Sequence, residues 1–125
     1  MREDERHPMV LLVEEEPLAG LDLGDALREA GYRIAGPLTG QAAALDWIAR
    51  CRPDLAVIDL PLRDGDGSRL AGTLRAQGVP FLVQAHDARE AAACAALRAA
   101  PRLAKPAWHG DLVHVLRQLS REARR

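Results

Sequence analysis

Short apolar runs alternate with longer amphipathic segments along this sequence, and the alternation restricts the fold more than any other feature. A short apolar run bounded by turn residues is typical of a buried strand, whereas an apolar residue at every third or fourth position indicates a helix. Repeated strand–helix units predict an α/β fold, a parallel sheet with helices on both faces. The apolar runs lie at residues 10–13, 32–35, 55–58, 81–83 and 103–104.

The composition of the runs predicts which strands are central. Residues 10–13, 55–58 and 81–83 are continuously apolar, as is typical of strands buried on both faces of a parallel sheet. Residues 32–35 alternate between apolar and polar positions, which favours an edge strand.

Helix ends are marked by residues with known capping preferences. Pro17 suits the first turn of the first helix, and Gly31 suits its end. Thr39 can cap the second helix. Asp87 and Glu90 have capping-box spacing, which predicts a helix continuing through the alanine-rich run to residue 100. Apolar stripes mark the other two helices, at Leu70 and Leu74 and at Leu112, Val115, Leu116 and Leu119.

Length and charge restrict the function classes. We expect the 125 residues to form one domain, 1–125, with a charged lead at 1–8 and a basic end at 121–125. The formal net charge of −1 creates no overall field for nucleic acid or anionic lipid, and no apolar run approaches the roughly 18 residues of a membrane span. Cys51 and Cys94 lack metal-ligand spacing and are typical of reduced thiols. These features predict a cytoplasmic protein without a nucleic-acid or membrane partner.

Charged residues follow three of the predicted strands. Glu14, Glu15 and Glu16 follow the first, Asp59 follows the third, and Lys105 follows the fifth. In an open α/β sheet the carboxyl ends of the strands form the ligand site. Converging carboxylates repel each other unless a cation neutralises them, and oxygen-only ligands favour Mg²⁺ or Ca²⁺. A nearby lysine would bind an anion such as a phosphoryl group.

The sequence resembles the receiver domain of the response regulators of two-component signalling (CheY-like) in four stretches: VLLVEEEP, PDLAVIDLPLRDGDG, VPFLVQAHD and LAKP. The resemblance implies a flavodoxin-like (βα)5 sheet with strand order 2-1-3-4-5. It also implies Mg²⁺-dependent transfer of a phosphoryl group from a histidine kinase or phosphotransfer protein. Such a protein is a signalling module rather than an enzyme. Further stretches, such as AGYRIAGPLTGQAAAL, resemble single-domain receivers, in which the helix after the fourth strand is often atypical.

The resemblance also implies a role for individual residues. Asp59 would be the phospho-acceptor, and Lys105 would pair with the phosphoryl group. Glu14 and Glu15 match the acidic pair that, with Asp59 and the backbone carbonyl of Pro61, would hold Mg²⁺. The Lys105–Pro106 bond matches a peptide bond that is cis in the family.

Three positions depart from the family pattern. Glu15 stands where the metal ligand is usually Asp, and its extra methylene moves the carboxylate outward by roughly 1.5 Å. Ala85 stands where a Thr or Ser hydroxyl usually bonds the phosphoryl group, and Arg102 stands at the position of the switch aromatic. Gln84 or His86 is the candidate to replace the missing donor.

Several alternatives stay open at this stage. The protein could be a pseudo-receiver, a phosphorylation-independent interaction module with the same fold, or more remotely a Mg²⁺-dependent hydrolase. The three glutamates could be a solvated strand exit that favours the next helix, and residues 64–67 could be a turn with an acidic cap rather than a calcium loop. Trp108 could pack inside or serve a partner.

The family resemblance also predicts partner surfaces. It implies that a downstream protein binds the face made by the fourth and fifth helices and the fifth strand. Small residues in AAACAALRAA would permit close approach of two copies, so a homodimer through that segment is a further expectation.

Overall fold

Five parallel strands form one sheet in the computed structural model, which describes residues 7–123. The strands are β1 (Met9–Val13), β2 (Arg33–Leu38), β3 (Leu55–Asp59), β4 (Phe81–Ala85) and β5 (Arg102–Ala104). The helices are α1 (Pro17–Glu29), α2 (Gln41–Ile48), α3 (Ser68–Ala76), α4 (Ala95–Ala99) and α5 (His109–Ala123). Residues 1–6 of the predicted lead and 124–125 of the predicted basic end lie outside the described residues.

The strand order is β2-β1-β3-β4-β5, which confirms the flavodoxin-like prediction. Residues 10–13 of β1 are fully buried, because β1 lies between β2 and β3 and both faces of the sheet are covered. Strand β2 is an edge, as its alternating sequence predicts. Leu11 and Val13 pack with α2, α3 and α4, whereas Val10 and Leu12 pack with α1 and α5. Alternate side chains of β1 thus pack against the two layers of helices on opposite faces of the sheet.

Strand β2 extends to Leu38, three residues beyond the predicted run. The extension depends on Gly36, which has a φ of +122° and approaches β1 closely. A Cβ atom at Gly36 would lie 2.5 Å from the backbone oxygen of Leu12, so only glycine fits there. The sequence pattern missed this part of the strand because Gly36 and Pro37 are typical of turns.

The predicted Thr39 cap of α2 was wrong. Gly40 occupies the cap position and has no side chain to offer. The Asp64 carboxylate, from the β3–α3 loop, instead accepts hydrogen bonds from the backbone N–H groups of Gln41 at 2.8 Å and Ala42 at 2.9 Å. A distant carboxylate therefore satisfies the orphan donors of α2, and local sequence could not reveal it.

The long helix predicted after Asp87 was also wrong, because only Ala95–Ala99 is helical. The Asp87 carboxylate accepts hydrogen bonds from the N–H groups of Arg89 and Glu90, which closes a turn. The Glu90 carboxylate reaches back to the N–H of His86 rather than to that of Asp87. These side chains satisfy the backbone in a non-helical arrangement, which competes with helix formation. The homodimer through this segment stays a prediction.

Other local predictions are confirmed. Pro17 is the first residue of α1, and Gly31 follows its end with a φ of +101°. The Asp66 carboxylate accepts hydrogen bonds from Ser68 at the start of α3, as expected of a turn with an acidic cap. No helix within residues 7–123 has both the length and the apolar character required to cross a membrane.

Candidate functional site

Charged residues from three strands meet at the carboxyl edge of the sheet. The parallel register aligns the strand ends: Val13 lies beside Ile58, and Asp59 lies beside Gln84. Because Glu14 directly follows β1 and Lys105 directly follows β5, their side chains are brought to the last residue of β3. One open cavity of about 560 Å³ contains this edge. Its charged or polar lining residues are Glu14, Glu15, Glu16, Asp59, Arg63, Gln84, His86, Lys105 and His109.

Lys105 is paired with Asp59. Its Nζ atom lies 2.8 Å from Oδ1 of Asp59 and also donates a hydrogen bond to the backbone oxygen of Leu60. The two side chains are only 18% and 14% exposed, so water screens this pair less than a surface pair. Lys105 is the only lysine in the chain, whereas every other basic site apart from the histidines is arginine. An ammonium with three donors can hold one carboxylate oxygen and still bind a second anion.

Glu14 is the most buried carboxylate of the site, with 5% of the residue exposed. Burial raises the pKa of Glu14 to about 8, and its hydrogen bond to Asp59 and the Asp59 charge act in the same direction. The backbone N–H of Glu16, which donates to Oε1 of Glu14, and the Lys105 charge oppose the rise only in part. At neutral pH the protonated form of Glu14 is therefore favoured, because its carboxyl lies against that of Asp59 in a buried place.

Glu15 is directed toward Arg63, a residue that the sequence reasoning missed. Oε1 of Glu15 accepts a hydrogen bond from the backbone N–H of Arg63, and Oε2 lies 3.2 Å from its Nε. The Glu15 side chain is 11% exposed and that of Arg63 is 88% exposed. The sequence did contain a signal for Arg63. It follows Asp59 by four residues, so it had to lie in a loop at the same edge of the sheet.

Glu16 is the part of the acidic run that behaves as a strand exit. Its side chain accepts a hydrogen bond at 2.9 Å from the N–H of Leu18, which caps α1. Glu16 is exposed, whereas Glu14 is buried and Glu15 is nearly so. The solvated-exit interpretation therefore holds for one of the three glutamates.

The donor set suits Mg²⁺. Glu14, Asp59 and the exposed Pro61 line the same cavity, and they offer carboxylate and peptide oxygens. Burial and the neighbouring Asp59 raise the pKa of Glu14, as expected of a site with more carboxylates than positive charge, which a cation would correct. Within residues 7–123, no three His, Cys, Asp or Glu side chains are already grouped as a metal site. Both carboxylate oxygens of Glu15 are instead engaged by Arg63.

The two positions that the family resemblance assigns to a switch carry side chains of a different kind. Ala85, the last residue of β4, is fully buried and offers no hydroxyl. Arg102 starts the edge strand β5 and is exposed. Gln84 and His86 both line the cavity, as expected of replacement donors. His86 is bound to Glu90, however, with Nδ1 lying 3.2 Å from a carboxylate oxygen. The sequence reasoning treated Glu90 as a cap and missed this contact.

Three exposed apolar side chains lie on elements that contribute residues to the cavity. Leu18 and Leu21 lie on α1 and are 76% and 54% exposed, and Trp108 in the β5–α5 loop is 73% exposed. Interior packing of Trp108 was therefore the wrong alternative. A Cβ atom at Gly110 would lie 2.9 Å from the indole, so Gly110 leaves room for the ring at the start of α5. The Lys105–Pro106 bond between this loop and β5 is cis, as the family resemblance implies.

Curated relatives are transcriptional regulators. Over 111 residues the chain is 37% identical to the KDP operon transcriptional regulatory protein KdpE of Escherichia coli K12, covering 86% of this chain and 49% of KdpE. Over 58 residues it is 40% identical to the transcriptional regulatory protein PdtaR of Mycobacterium tuberculosis, covering 45% of this chain and 28% of PdtaR. The chain thus matches half or less of the length of each.

A solved structure with the same fold is the receiver domain of the sensor histidine kinase PA1611 from Pseudomonas aeruginosa PAO1. It superposes with a TM-score of 0.78 at 26% identity, covering 91% of this chain and 98% of that one. That structure is described as having a magnesium ion coordinated in its active-site cleft.

The family comparison covers most of the sequence. The model of the response regulator receiver domain matches residues 10–117, which run from the first core residue of β1 well into α5. This range includes the carboxyl ends of all five strands. It also includes the charged residues Glu14, Glu15, Asp59, Arg63 and Lys105 of the cavity. The chain therefore belongs to the response regulator receiver domain family.

Proposed function

We propose that this chain is a cytoplasmic receiver that accepts a phosphoryl group on Asp59 and signals through protein contacts. The phosphoryl donor would be a phosphohistidine of a histidine kinase or phosphotransfer protein. The observation that carries the proposal is the distance of 2.8 Å between Lys105 Nζ and Asp59 Oδ1 inside an open, carboxylate-lined cavity. A carboxylate that is nearly buried, paired with a lysine and accessible from one side can act as a nucleophile.

The transfer requires one bond to form and one to break. An oxygen of Asp59 attacks the phosphorus of the phosphohistidine, and the P–N bond breaks. The imidazole nitrogen keeps the electron pair and takes up a proton, which leaves an aspartyl phosphate on the receiver. Lys105 already contacts the attacking carboxylate and the Leu60 carbonyl, so its one remaining donor would serve a phosphoryl oxygen.

Glu14, Asp59 and the Pro61 carbonyl would hold Mg²⁺ in this proposal, and Glu15 would join them. When bound, the ion offsets negative charge on the phosphoryl oxygens. Glu14 must lose its proton to serve as a ligand, because its pKa is raised to about 8 in the metal-free site. Proton release and metal uptake are therefore coupled at this residue.

Protein partners would approach two surfaces. A donor protein has to cover the cavity to bring its histidine to Asp59, and the exposed Leu18, Leu21 and Trp108 on elements that line the cavity provide apolar contact area. We propose the α4–β5–α5 face for the downstream partner. On that face Arg102 replaces an aromatic side chain, so the partner would read a charged rather than an apolar position.

A pseudo-receiver is the second candidate function, favoured by one specific observation. Glu15 is held by Arg63, and Glu14 holds a proton, so two of the three carboxylates of the site are not free. If this arrangement were permanent, the domain would bind partners without accepting a phosphoryl group.

Mass spectrometry separates the two candidates. The purified protein would be incubated with acetyl phosphate and millimolar Mg²⁺, and the phosphorylated peptide would be mapped. We expect one phosphoryl group on Asp59, lost in Asp59→Asn and retained in Asp111→Asn, which removes an exposed carboxylate in the first turn of α5. If no adduct forms on the unmodified protein over a range of Mg²⁺ concentrations, the chain is a pseudo-receiver.

A further inference from the structure

We expect Glu15 to bind a divalent cation, yet it already contacts Arg63, whose side chain is itself a cation. We propose that Arg63 is a built-in competitor of the divalent ion, so that metal occupancy of this receiver is set by release of Glu15 from Arg63. The inference rests on the proposed function, because it takes Glu15 as part of a Mg²⁺ site. It adds a residue, Arg63, that controls when this site can be filled.

Both carboxylate oxygens of Glu15 are engaged. The backbone N–H of Arg63 holds Oε1, and the guanidinium Nε lies 3.2 Å from Oε2. A divalent ion and a guanidinium satisfy the same negative charge, and they repel each other. The ion can therefore use Glu15 fully only when the side chain of Arg63 has moved away.

The backbone of Arg63 is held in place by its neighbours in sequence. Leu62 is 6% exposed and pairs with Gly65 across a tight turn. The Asp64 carboxylate is bonded to the first two N–H groups of α2. Gly65 lies so close to Gln41 that a Cβ atom there would be 2.2 Å from its Nε2. The loop thus fixes the N–H that Glu15 accepts.

The side chain of Arg63, by contrast, is free to leave. It is 88% exposed, whereas the Glu15 side chain is 11% exposed. An ion pair with one partner in water contributes little energy, so a divalent ion at a physiological concentration can displace the guanidinium. The fixed N–H keeps Glu15 oriented after the guanidinium has gone, which makes the displacement reversible.

The direct test is the affinity for Mg²⁺, measured by isothermal titration calorimetry in the absence of any phosphoryl donor. Arg63→Ala removes the guanidinium and keeps the backbone N–H. We expect it to lower the Kd for Mg²⁺ roughly fivefold, because one positive charge leaves the site. The gain should shrink as the salt concentration rises, since added salt screens the exposed charge.

Arg50→Ala is the matched control. Arg50 pairs with the exposed Asp46 at 2.8 Å on α2 and does not line the cavity, yet its loss changes the net charge equally. Its Kd should equal that of the unmodified protein. In the Glu15→Gln background, Arg63→Ala should raise the affinity for Mg²⁺ less than twofold, because the carboxylate for which the two cations compete is absent.

Three outcomes would overturn the inference. They are an Arg63→Ala affinity equal to or weaker than that of the unmodified protein, an equal gain in Arg50→Ala, and no Mg²⁺ binding in any variant. Phosphorylation of Asp59 by acetyl phosphate is measured separately on the same samples. If Asp59 is phosphorylated while Arg63→Ala binds Mg²⁺ no tighter, the proposed function stands and this inference fails. If Arg63→Ala binds Mg²⁺ tighter and Asp59 is never phosphorylated, this inference stands and the proposed function fails.

Discussion

The carboxyl edge of the sheet has two halves with different chemistry. In the acceptor half, the ends of β1 and β3 bring Glu14 and Asp59 into contact, and Lys105 reaches them from the end of β5. In the switch half, Ala85 ends β4 without a hydroxyl, and Arg102 is exposed on β5. The two halves are named for their proposed roles: the first would accept the phosphoryl group, and the second lacks the side chains that the family resemblance leads us to expect at a switch.

The difference shows that accepting a group and transmitting its presence have separate physical requirements. Acceptance needs a few charges within about 3 Å of the reacting atom, and three strand ends provide them. Transmission needs a side chain with two alternative positions, coupled to the site by a hydrogen bond. The fully buried Ala85 has no such alternatives, so we expect no transmission from Asp59 to β5 by this route.

Loss of Lys105 should have the largest effect on the acceptor half. Lys105→Ala removes the cationic side chain that pairs with Asp59, and we expect phosphorylation of Asp59 by acetyl phosphate to slow by about 100-fold. Rates would be measured by intact-protein mass spectrometry, with circular dichroism as a check on folding. Lys105→Arg should recover part of the rate. If Lys105→Ala retains the full rate, the pairing with Asp59 has no role in transfer.

Glu14 predicts a pH dependence of stability in the metal-free protein. Its folded-state pKa is raised from 4.5 to about 8, so the folded state binds the proton more tightly than the unfolded chain. This contribution to stability is fully present below pH 4.5 and is lost as the pH rises through 8. Between pH 6 and pH 9 in EDTA, we expect the free energy of unfolding to fall by about 1 kcal/mol more in the unmodified protein than in Glu14→Gln, after allowance for solvent screening. Urea unfolding at both pH values measures the difference, and equal losses would contradict the assignment.

Asp64 predicts a smaller effect of the opposite sign. Hydrogen bonds from the N–H groups of Ala42 and Gln41 lower the pKa of the Asp64 carboxyl. The stability that this cap contributes is present above the unfolded-state pKa and is lost as the pH falls through the lower folded-state value. Asp64→Ala should lower the Tm by a few degrees at pH 7 and by less in acid. Asp25→Ala, which removes an exposed carboxylate paired with Arg28, is the control, and a Tm loss of equal size there would argue against a specific cap.

Arg102→Ala should have the smallest effect on phosphoryl uptake. Arg102 lies three residues before Lys105, yet it is exposed and does not line the cavity. We expect less than a twofold change in the rate of Asp59 phosphorylation, measured beside Lys105→Ala. A change of tenfold or more would mean that the two halves of the edge are coupled after all.

Most of the fold was predictable from the sequence because the signals were local. Continuous apolar runs indicated the central strands, alternation indicated that β2 is an edge, and Pro17 and Gly31 marked the ends of α1. Convergence of Glu14, Asp59 and Lys105 followed from topology alone, since parallel strands end at one edge.

Two of the missed features depend on contacts between distant segments. Asp64 caps a helix more than 20 residues earlier, and Arg63 binds a glutamate 48 residues away. A sequence pattern contains no information on such partners until the loops are placed. The short α4 was missed for a different reason, because the carboxylates of Asp87 and Glu90 satisfy a turn as well as they satisfy a helix.

The most direct test of the difference between the halves is a map of backbone amide chemical shifts with and without Mg²⁺ and beryllofluoride, a mimic of the phosphoryl group. We expect large shifts at Glu14, Glu15, Lys105 and residues 59–64, and little change at Arg102 and along α4. Large shifts at Arg102 and α4, or none around Asp59, would contradict the proposed separation of the two halves.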